Sequence, residues 1–377
     1  MRFLVAPDKY KGGLPAEGVA TAIARGIRDV FPHAKIRLMP LADGGDGTGR
    51  ILCRALHAHI RTTIVQGPRL RPLRARWGLL GSRAFMDMAS ASGLSLLRPA
   101  ERDPMRATSH GIGQMILAAV NSGAREIVLG VGGSATVDGG LGALRALGIR
   151  FLDARKRDVP DGGTGLLQLD LVDTRACQLL GKKVSLVFLS DVTNPLLGPS
   201  GAAPVFGPQK GATPAMVRDL TRGLKRLDRA ILRTTGRSVA RLPCGGAAGG
   251  IVAGFVGILG SVPGIQVRVV SGIEYLLREL AAASAIRRAD WIFTGEGRLD
   301  GQTARGKTIA GLAALARRHH KPVIAIAGSL DLSLAEMNRM GLRAVFAIPR
   351  HSCTLAESIA HETPWIRSAA ANAARLL

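Results

Sequence analysis

The chain has 377 residues, enough for two domains of ordinary size, and its composition (47% hydrophobic, 21% charged) excludes long disordered stretches. Lys and Arg outnumber Asp and Glu by 51 to 27, which gives a formal charge of +24. The basic residues are spread through helical stretches, and two Tyr and three Trp offer little for bases to stack on. The charge therefore favours attraction of small anions over a nucleic-acid partner.

Short apolar strands alternate with amphipathic helices, which is typical of a mainly parallel α/β sheet. The pattern predicts strands at Phe3–Ala6, Ile36–Pro40, Glu126–Gly130, Val184–Leu189, Trp291–Thr294, Val323–Ala327 and Ala344–Ile348. It predicts helices at residues 15–30, from residue 48 onward, and at Ser109–Asn121, Gly139–Leu147, Pro214–Thr234, Ile273–Arg288, Arg305–His319 and Leu355–Leu377.

The alternation of strands and helices stops between Gly67 and Gly93, where the sequence predicts consecutive strands at residues 69–77 and 83–88. Strand–helix alternation returns near Trp291. The break predicts a discontinuous α/β domain of residues 1–66 plus 285–377, with residues 67–284 as an inserted α/β domain.

Targeting and metal signals are missing from the sequence pattern. The four cysteines are far apart and form no CxxC pair, so neither a disulfide framework nor a zinc site is indicated. The apolar run at the N-terminus is too short for a signal peptide. Leu242–Val267 carries no charge, but its eight Gly and two Pro argue against a membrane span. We expect a cytoplasmic protein with no membrane partner.

Five predicted strands run into loops that combine glycines with acidic residues: 8–13, 43–48, 130–140, 191–195 and 295–300. In open α/β sheets, ligands bind where loops leave the carboxyl ends of strands. Glycine-rich backbone can cradle phosphates, carboxylates can hold Mg²⁺, and lysines can neutralise a transferring group. The pattern therefore indicates phosphoryl transfer. The candidate charged residues are Asp8, Asp43, Asp46, Asp138, Asp191, Glu296, Asp300, Lys9, Lys11, Lys210 and Lys307.

Residues 301–308 (GQTARGKT) match the P-loop pattern G-x-x-x-x-G-K-[ST]. A P-loop begins directly at the end of its strand. The predicted strand ends near Thr294, so six residues intervene, and we interpret the match as accidental.

Seven segments in order resemble the bacterial type I glycerate kinase family. They are Ala6–Ala16 (APDKYKGGLPA), Pro40–Thr48 (PLADGGDGT), Gly130–Gly142 (GVGGSATVDGGLG), residues 191–213, Gly245–Gly250 (GGAAGG), Thr294–Lys307 (TGEGRLDGQTARGK) and Pro322–Ser329 (PVIAIAGS). The resemblance covers almost the whole chain. Relatives often have Ser at the position of Lys9 and Glu at the position of Asp46, so a serine role at position 9 is not carried over.

The resemblance implies ATP-dependent phosphorylation of D-glycerate, most often described as giving the 2-phosphate, with Mg²⁺ as cofactor. The 3-phosphate product, or a related small hydroxy acid as substrate, remains an alternative. The family's fold looks like two α/β domains, one of them discontinuous and Rossmann- or flavodoxin-like. The active site is expected in the cleft between the domains. A monomer and a homodimer are both compatible with the sequence.

Roles for the residues follow as hypotheses. Asp191, Lys11 and Asp8 are the catalytic candidates, with Asp191 orienting the glycerate hydroxyl. Asp191, Glu296 and Asp300 are the candidate metal ligands. The candidates for binding substrate or nucleotide are Lys9, Asp43, Gly44, Gly45, Asp46, Ser134, Thr136, Asp138, Asn194, Lys210, Gly249, Gly250, Glu296, Asp300 and Lys307.

Structural alternatives stay open for most of these residues. Asp191 is equally compatible with an Asx-turn into Asn194-Pro195. Helix N-capping is a rival role for Asp46 and Asp138. The lysines are compatible with a solvated surface. Ser134–Thr136 and Gly249–Gly250 are compatible with tight packing of a loop against a helix.

Overall fold

The computed structural model describes residues 1–300 and 308–377. Its strands, in chain order, are β1 (Arg2–Val5), β2 (Lys35–Leu38), β3 (His59–Gln66), β4 (Pro72–Leu80), β5 (Arg83–Asp87), β6 (Glu126–Gly130), β7 (Arg150–Leu152), β8 (Leu171–Asp173), β9 (Val184–Leu189), β10 (Ile265–Val270), β11 (Trp291–Asp300), β12 (Val323–Asp331) and β13 (Ala344–Ala347).

The α-helices of the same residues are α1 (Ala16–Val30), α2 (Thr48–Ala55), α3 (Ala89–Ser92), α4 (His110–Asn121), α5 (Leu141–Ala146), α6 (Gly163–Leu166), α7 (Ala202–Phe206), α8 (Pro214–Thr235), α9 (Ile251–Ile258), α10 (Gly272–Glu279), α11 (Ala282–Arg288), α12 (Thr308–Arg318), α13 (Leu334–Met340), α14 (Leu355–Ala360) and α15 (Glu362–Ala374). Among the described residues, none of these helices has the length and apolar character needed to cross a membrane.

The chain divides into two compact units, and unit 1 contains Met1–Asp43 and Gly272–Leu377. Its sheet is parallel throughout, in the order β2-β1-β11-β12-β13. Counted within the unit, this is the 2-1-3-4-5 order of flavodoxin-like sheets. Apolar residues of α1 and α15, among them Ile23 and Ile366, are buried together with Phe3 and Phe293 of the sheet.

Unit 2 contains Gly44–Ser271, and its main sheet has the order β10-β9-β6-β5-β4-β3. The strands from β10 to β5 run parallel, and β5, β4 and β3 form an antiparallel meander. A separate ribbon pairs β7 with β8. The core includes an edge-to-face contact of Phe188 and Phe255, whose ring centroids are 5.2 Å apart. The prediction of a mixed α/β fold with mainly parallel sheets is confirmed.

The unit boundaries differ from the predicted domain boundaries. Residues 44–66 lie in unit 2, because β3 pairs along its whole length with β4. At the other end, the division falls at 271/272 rather than at 284/285. Strand β3 escapes prediction because Val65 is its one buried residue, so its sequence lacks the alternation of a half-buried strand.

Further elements differ from their predicted form. The helix predicted at Leu355–Leu377 is divided into α14 and α15, with His361 between them. The helix predicted at Ile273–Arg288 is divided into α10 and α11, and Ala281, between them, has a φ of +50°. Strand β11 continues to Asp300 instead of ending near Thr294. Glycine does not end this strand: a Cβ on Gly295 would lie 2.4 Å from the Ile326 carbonyl oxygen, so glycine permits the close approach of β12.

Candidate active site

The carboxyl end of β1 lies beside β11 in unit 1, where Val5 and Phe293 are register partners. In the 2-1-3-4-5 order, the chain leaves these two strands toward opposite sides of the sheet. This is the switch point, outside which open α/β sheets bind ligands. Asp8 follows β1 there, and its N–H donates to the Gly295 carbonyl at 2.8 Å.

Asp8 is a buried carboxylate with an unusual proton affinity. Asp8 is 6% exposed. Its carboxylate oxygens accept hydrogen bonds from the Thr308 hydroxyl and the Lys9 N–H, each at 2.6 Å. Burial, reinforced by the neighbouring charge of Asp43, raises the pKa of Asp8 to about 6. The two hydrogen bonds act in the opposite direction. Asp8 can therefore exchange a proton near neutral pH or hold a cation when ionised.

Thr308 is a site residue that sequence reasoning passed over. It is the first residue of α12, is 1% exposed and donates to Asp8. The six residues taken to separate the strand from the P-loop pattern, 295–300, belong to β11, so this reason for setting the pattern aside was wrong. The P-loop pattern ends at Thr308, and this match was the signal in the sequence that could have identified it. Lys307 and the rest of residues 301–307 lie outside the described residues.

The other unit 1 candidates lie at the same carboxyl edge or close to it in sequence. Lys9, Asp43 and Glu296 are half-buried, whereas Lys11 is exposed. Asp300 forms an ion pair with Arg298, whose Nε lies 3.2 Å from its Oδ2. Residues 1–300 and 308–377 contain no ready-made group of three His, Cys, Asp or Glu side chains for a metal.

Three loops of unit 2 meet at the carboxyl ends of its parallel strands. A Cβ on Gly44 would lie 2.7 Å from the Leu189 carbonyl oxygen, and one on Gly132 would lie 2.3 Å from the Gly45 Cα. Side chains at these positions would separate the loops. The glycines thus bring residues 44–47 against the ends of β6 and β9.

Asp87, at the end of β5, fixes one of these loops and was not predicted as a site residue. It accepts hydrogen bonds from the Gly49 and Arg50 N–H groups at 2.8 and 3.2 Å, at the start of α2. Its carboxylate thus satisfies N–H groups that a helix start leaves unpaired. Asp46 is exposed, and Gly47 precedes α2, so the capping role considered for Asp46 belongs to Asp87.

Asp138 is fully buried, which supports its structural alternative. Its oxygens accept from the Ser109 N–H and hydroxyl at 2.8 and 2.7 Å, and from the Gly140 and Gly142 N–H groups at 3.1 and 3.3 Å. Burial raises the pKa of Asp138, while these bonds oppose the rise. The carboxylate ties the starts of α4 and α5 together and leaves no exposed oxygen for a ligand.

Asp191 follows β9 and is half-buried. Its Oδ1 accepts from the Ser271 hydroxyl at 2.7 Å, so two sequence-distant residues at the ends of β9 and β10 form one polar pair. Asn194 donates through Nδ2 to the Ser200 carbonyl at 2.8 Å and thereby stabilises its own loop. Ser271 has no signal in the sequence beyond its place after a strand.

The loop after β6 carries Ser134 and Thr136, which are 6% and 0% exposed. Lys210 is buried beneath the same loop rather than displayed on the surface. Gly249 packs on the loop's other side: a Cβ there would lie 2.0 Å from the Thr136 carbonyl oxygen, and Gly250 follows with a φ of +96°. This supports the packing alternative for Gly249–Gly250.

Comparison with known proteins identifies the family of this chain. A model described as the glycerate kinase family matches residues 3–377. The chain is 40% identical over 360 residues to a protein of Escherichia coli K12 named glycerate 2-kinase, covering 95% of this chain and 93% of that one. It is 38% identical to a glycerate kinase of Halalkalibacterium halodurans, covering 98% and 97%. A crystal structure assigned to glycerate kinase 2 of Salmonella typhimurium LT2 is similar with a TM-score of 0.81 and 41% identity, covering 100% and 98%.

Proposed function

The chain belongs to the glycerate kinase family and is a kinase, and we propose that it transfers the γ-phosphoryl group of ATP to the 2-hydroxyl of D-glycerate. The observation that carries the proposal is the placement of acidic side chains at the carboxyl ends of parallel strands in both units, beside glycine-rich loops. Such sites handle phosphates and small anions.

We assign the phosphates of Mg-ATP to the switch point of unit 1. Asp8 and Asp43, whose charges interact, supply oxygen ligands of the kind that Mg²⁺ prefers, and the phosphates supply others. The Thr308 hydroxyl fixes the orientation of the Asp8 carboxylate. When bound, Mg²⁺ neutralises charge on the transferring phosphate. Lys9 and Lys11, in the loop that contains Asp8, are our candidates for further neutralisation.

We assign the acceptor hydroxyl to Asp191. The Asp191 carboxylate is half-buried rather than enclosed, and an ionised carboxylate has two oxygens that together accept several hydrogen bonds, of which Ser271 supplies one to Oδ1. It can orient that hydroxyl and take its proton as the phosphoryl group is transferred. Asn194 donates to the Ser200 carbonyl of its own loop, and its role in placing substrate or metal stays a prediction.

The four cysteines of the chain are free, as is usual for a protein of a reducing compartment. Together with the use of ATP, this supports action in the cytoplasm on a small-molecule substrate. The proposal includes neither a nucleic-acid nor a membrane partner.

An ADP-release assay tests this function. With Mg-ATP, D-glycerate should give turnover, while L-glycerate and reactions without Mg²⁺ should give little. Tartronate and other hydroxy acids serve as competing substrates. A higher kcat/KM for another hydroxy acid than for D-glycerate would instead make the protein a kinase of that acid. Absence of turnover with every acid from folded protein would contradict the proposal.

A further inference from the structure

Lys210 is a buried cation that the proposed reaction leaves without a role. It ends a short turn between α7 and α8 and is 2% exposed. Its Nζ donates to Ser134 Oγ at 2.8 Å and to the Thr136 carbonyl at 2.7 Å. Both acceptors belong to the loop that follows β6, so the ammonium lies directly beneath that loop.

The charge of Lys210 is not neutralised by direct pairing. It forms no ion pair with any residue in 1–300 or 308–377, and the nearby Asp138 carboxylate is occupied by Ser109, Gly140 and Gly142. Burial of an ammonium without a partner is costly. Burial accordingly lowers the pKa of Lys210 to about 7.

The hydrogen bond from Lys210 determines what Ser134 can do. A serine hydroxyl has one proton to donate. Because Ser134 Oγ accepts from the ammonium and forms no other side-chain hydrogen bond among the described residues, its own O–H is available as a donor. Thr136 Oγ1 is buried and has no hydrogen-bond partner in the described part of the chain. Of these two hydroxyls, that of Ser134 is the one in a residue with exposed surface (6%), whereas Thr136 is 0% exposed.

We infer that Lys210 is a positioning residue, which holds Ser134 as a hydrogen-bond donor to an oxyanion of the substrates. The oxyanion is either the carboxylate of the hydroxy acid or a phosphate of the nucleotide. Lys210 acts through Ser134 and does not touch the ligand itself. This inference rests on the proposed function, which supplies both anions.

The test compares Ser134→Ala, Lys210→Met and the double variant, with Lys225→Met, an exposed lysine of α8, as control. Because a hydrogen bond to a charged group is lost, each single variant should raise KM for D-glycerate or for ATP by about 10- to 100-fold. The substrate whose KM changes identifies the oxyanion. The double variant should raise this KM no further than the single variant with the larger effect, since both substitutions remove the same interaction. Lys225→Met should match the wild type.

Multiplicative KM effects in the double variant would overturn the inference, as would a lowered melting temperature of Lys210→Met with unchanged kinetics. If Lys210→Met does not fold, Ser134→Ala with both KM values unchanged would overturn it. Thermal protection of wild type and Ser134→Ala by D-glycerate and by ADP provides a readout without turnover. If the wild-type protein shows no kinase activity, but the Ser134→Ala substitution abolishes its thermal protection by a ligand, the proposed reaction is contradicted and the inference is upheld.

Discussion

Replacing Asp8 with Asn should stabilise the protein at pH 8 while lowering its activity. The folded protein raises the pKa of Asp8 from 3.8 to about 6, mainly through burial. At pH 8, where the carboxylate is ionised in both states, this rise corresponds to about 3 kcal/mol of lost stability. The Asn side chain has one acceptor oxygen where Asp has two, and the loss of one hydrogen bond costs about 1 kcal/mol. The net gain should be about 2 kcal/mol.

The sign of this effect depends on pH. A raised carboxyl pKa favours the folded state below pH 3.8, and that advantage is lost as the pH rises through about 6. The gain from Asp8→Asn should therefore fall to near zero at pH 4.5. Urea unfolding followed by tryptophan fluorescence, to which Trp291 and Trp365 of unit 1 and Trp77 of unit 2 contribute, measures it.

Asp29→Asn is the matched control in the same unit. Arg367 lies 2.7 Å from the Asp29 carboxylate and lowers its pKa. Removal of this charge should cost stability above the ordinary carboxyl pKa, the opposite sign to Asp8→Asn. A gain for Asp8→Asn that does not change with pH, or a loss at pH 8, would refute burial as the cause of the raised pKa.

Three further variants test other parts of the site. Thr308→Val removes the hydroxyl that donates to a buried carboxylate, and should raise KM for Mg-ATP about 10-fold in steady-state assays; an unchanged KM would argue against a nucleotide site there. Asp87→Ala leaves two N–H groups of α2 without acceptors and should lower the free energy of unfolding by about 1–2 kcal/mol in urea titrations; unchanged stability would contradict its capping role. Asp191→Asn should lower kcat by about 100-fold or more with KM for ATP unchanged, and Ser271→Ala by less; near-normal turnover of Asp191→Asn would exclude it as the base.

Much of the fold follows from local sequence signals. Buried parallel strands such as Val184–Leu189 are short apolar runs, and the structure has that strand at the predicted residues. The same signals fail where exposure or close packing changes the pattern. Strand β3 buries one residue of eight. Strand β11 continues through Gly295, where glycine is required because β12 approaches too closely for a side chain.

The candidate site was predictable as a set of loops but not as a set of contacts. Glycines beside acidic residues marked the loops that follow β1, β2, β6 and β9, whereas the loop predicted at residues 295–300 is the second half of β11. Asp87, Ser109, Ser271 and Thr308 were missed, since each acts on residues distant in the sequence. Long-range pairs of this kind leave no spacing signal. The location of the active site between the two units stays a prediction.

The phosphorus NMR spectrum of the product tests the central claim most directly. After reaction of D-glycerate with Mg-ATP, the proton-coupled signal of the new phosphate ester reports which carbon carries the phosphate. We predict a doublet, because the 2-phosphate is attached to a carbon with one hydrogen. A triplet would place the phosphate on the terminal CH₂ group and contradict transfer to the 2-hydroxyl. A spectrum without a new ester signal would contradict glycerate phosphorylation itself.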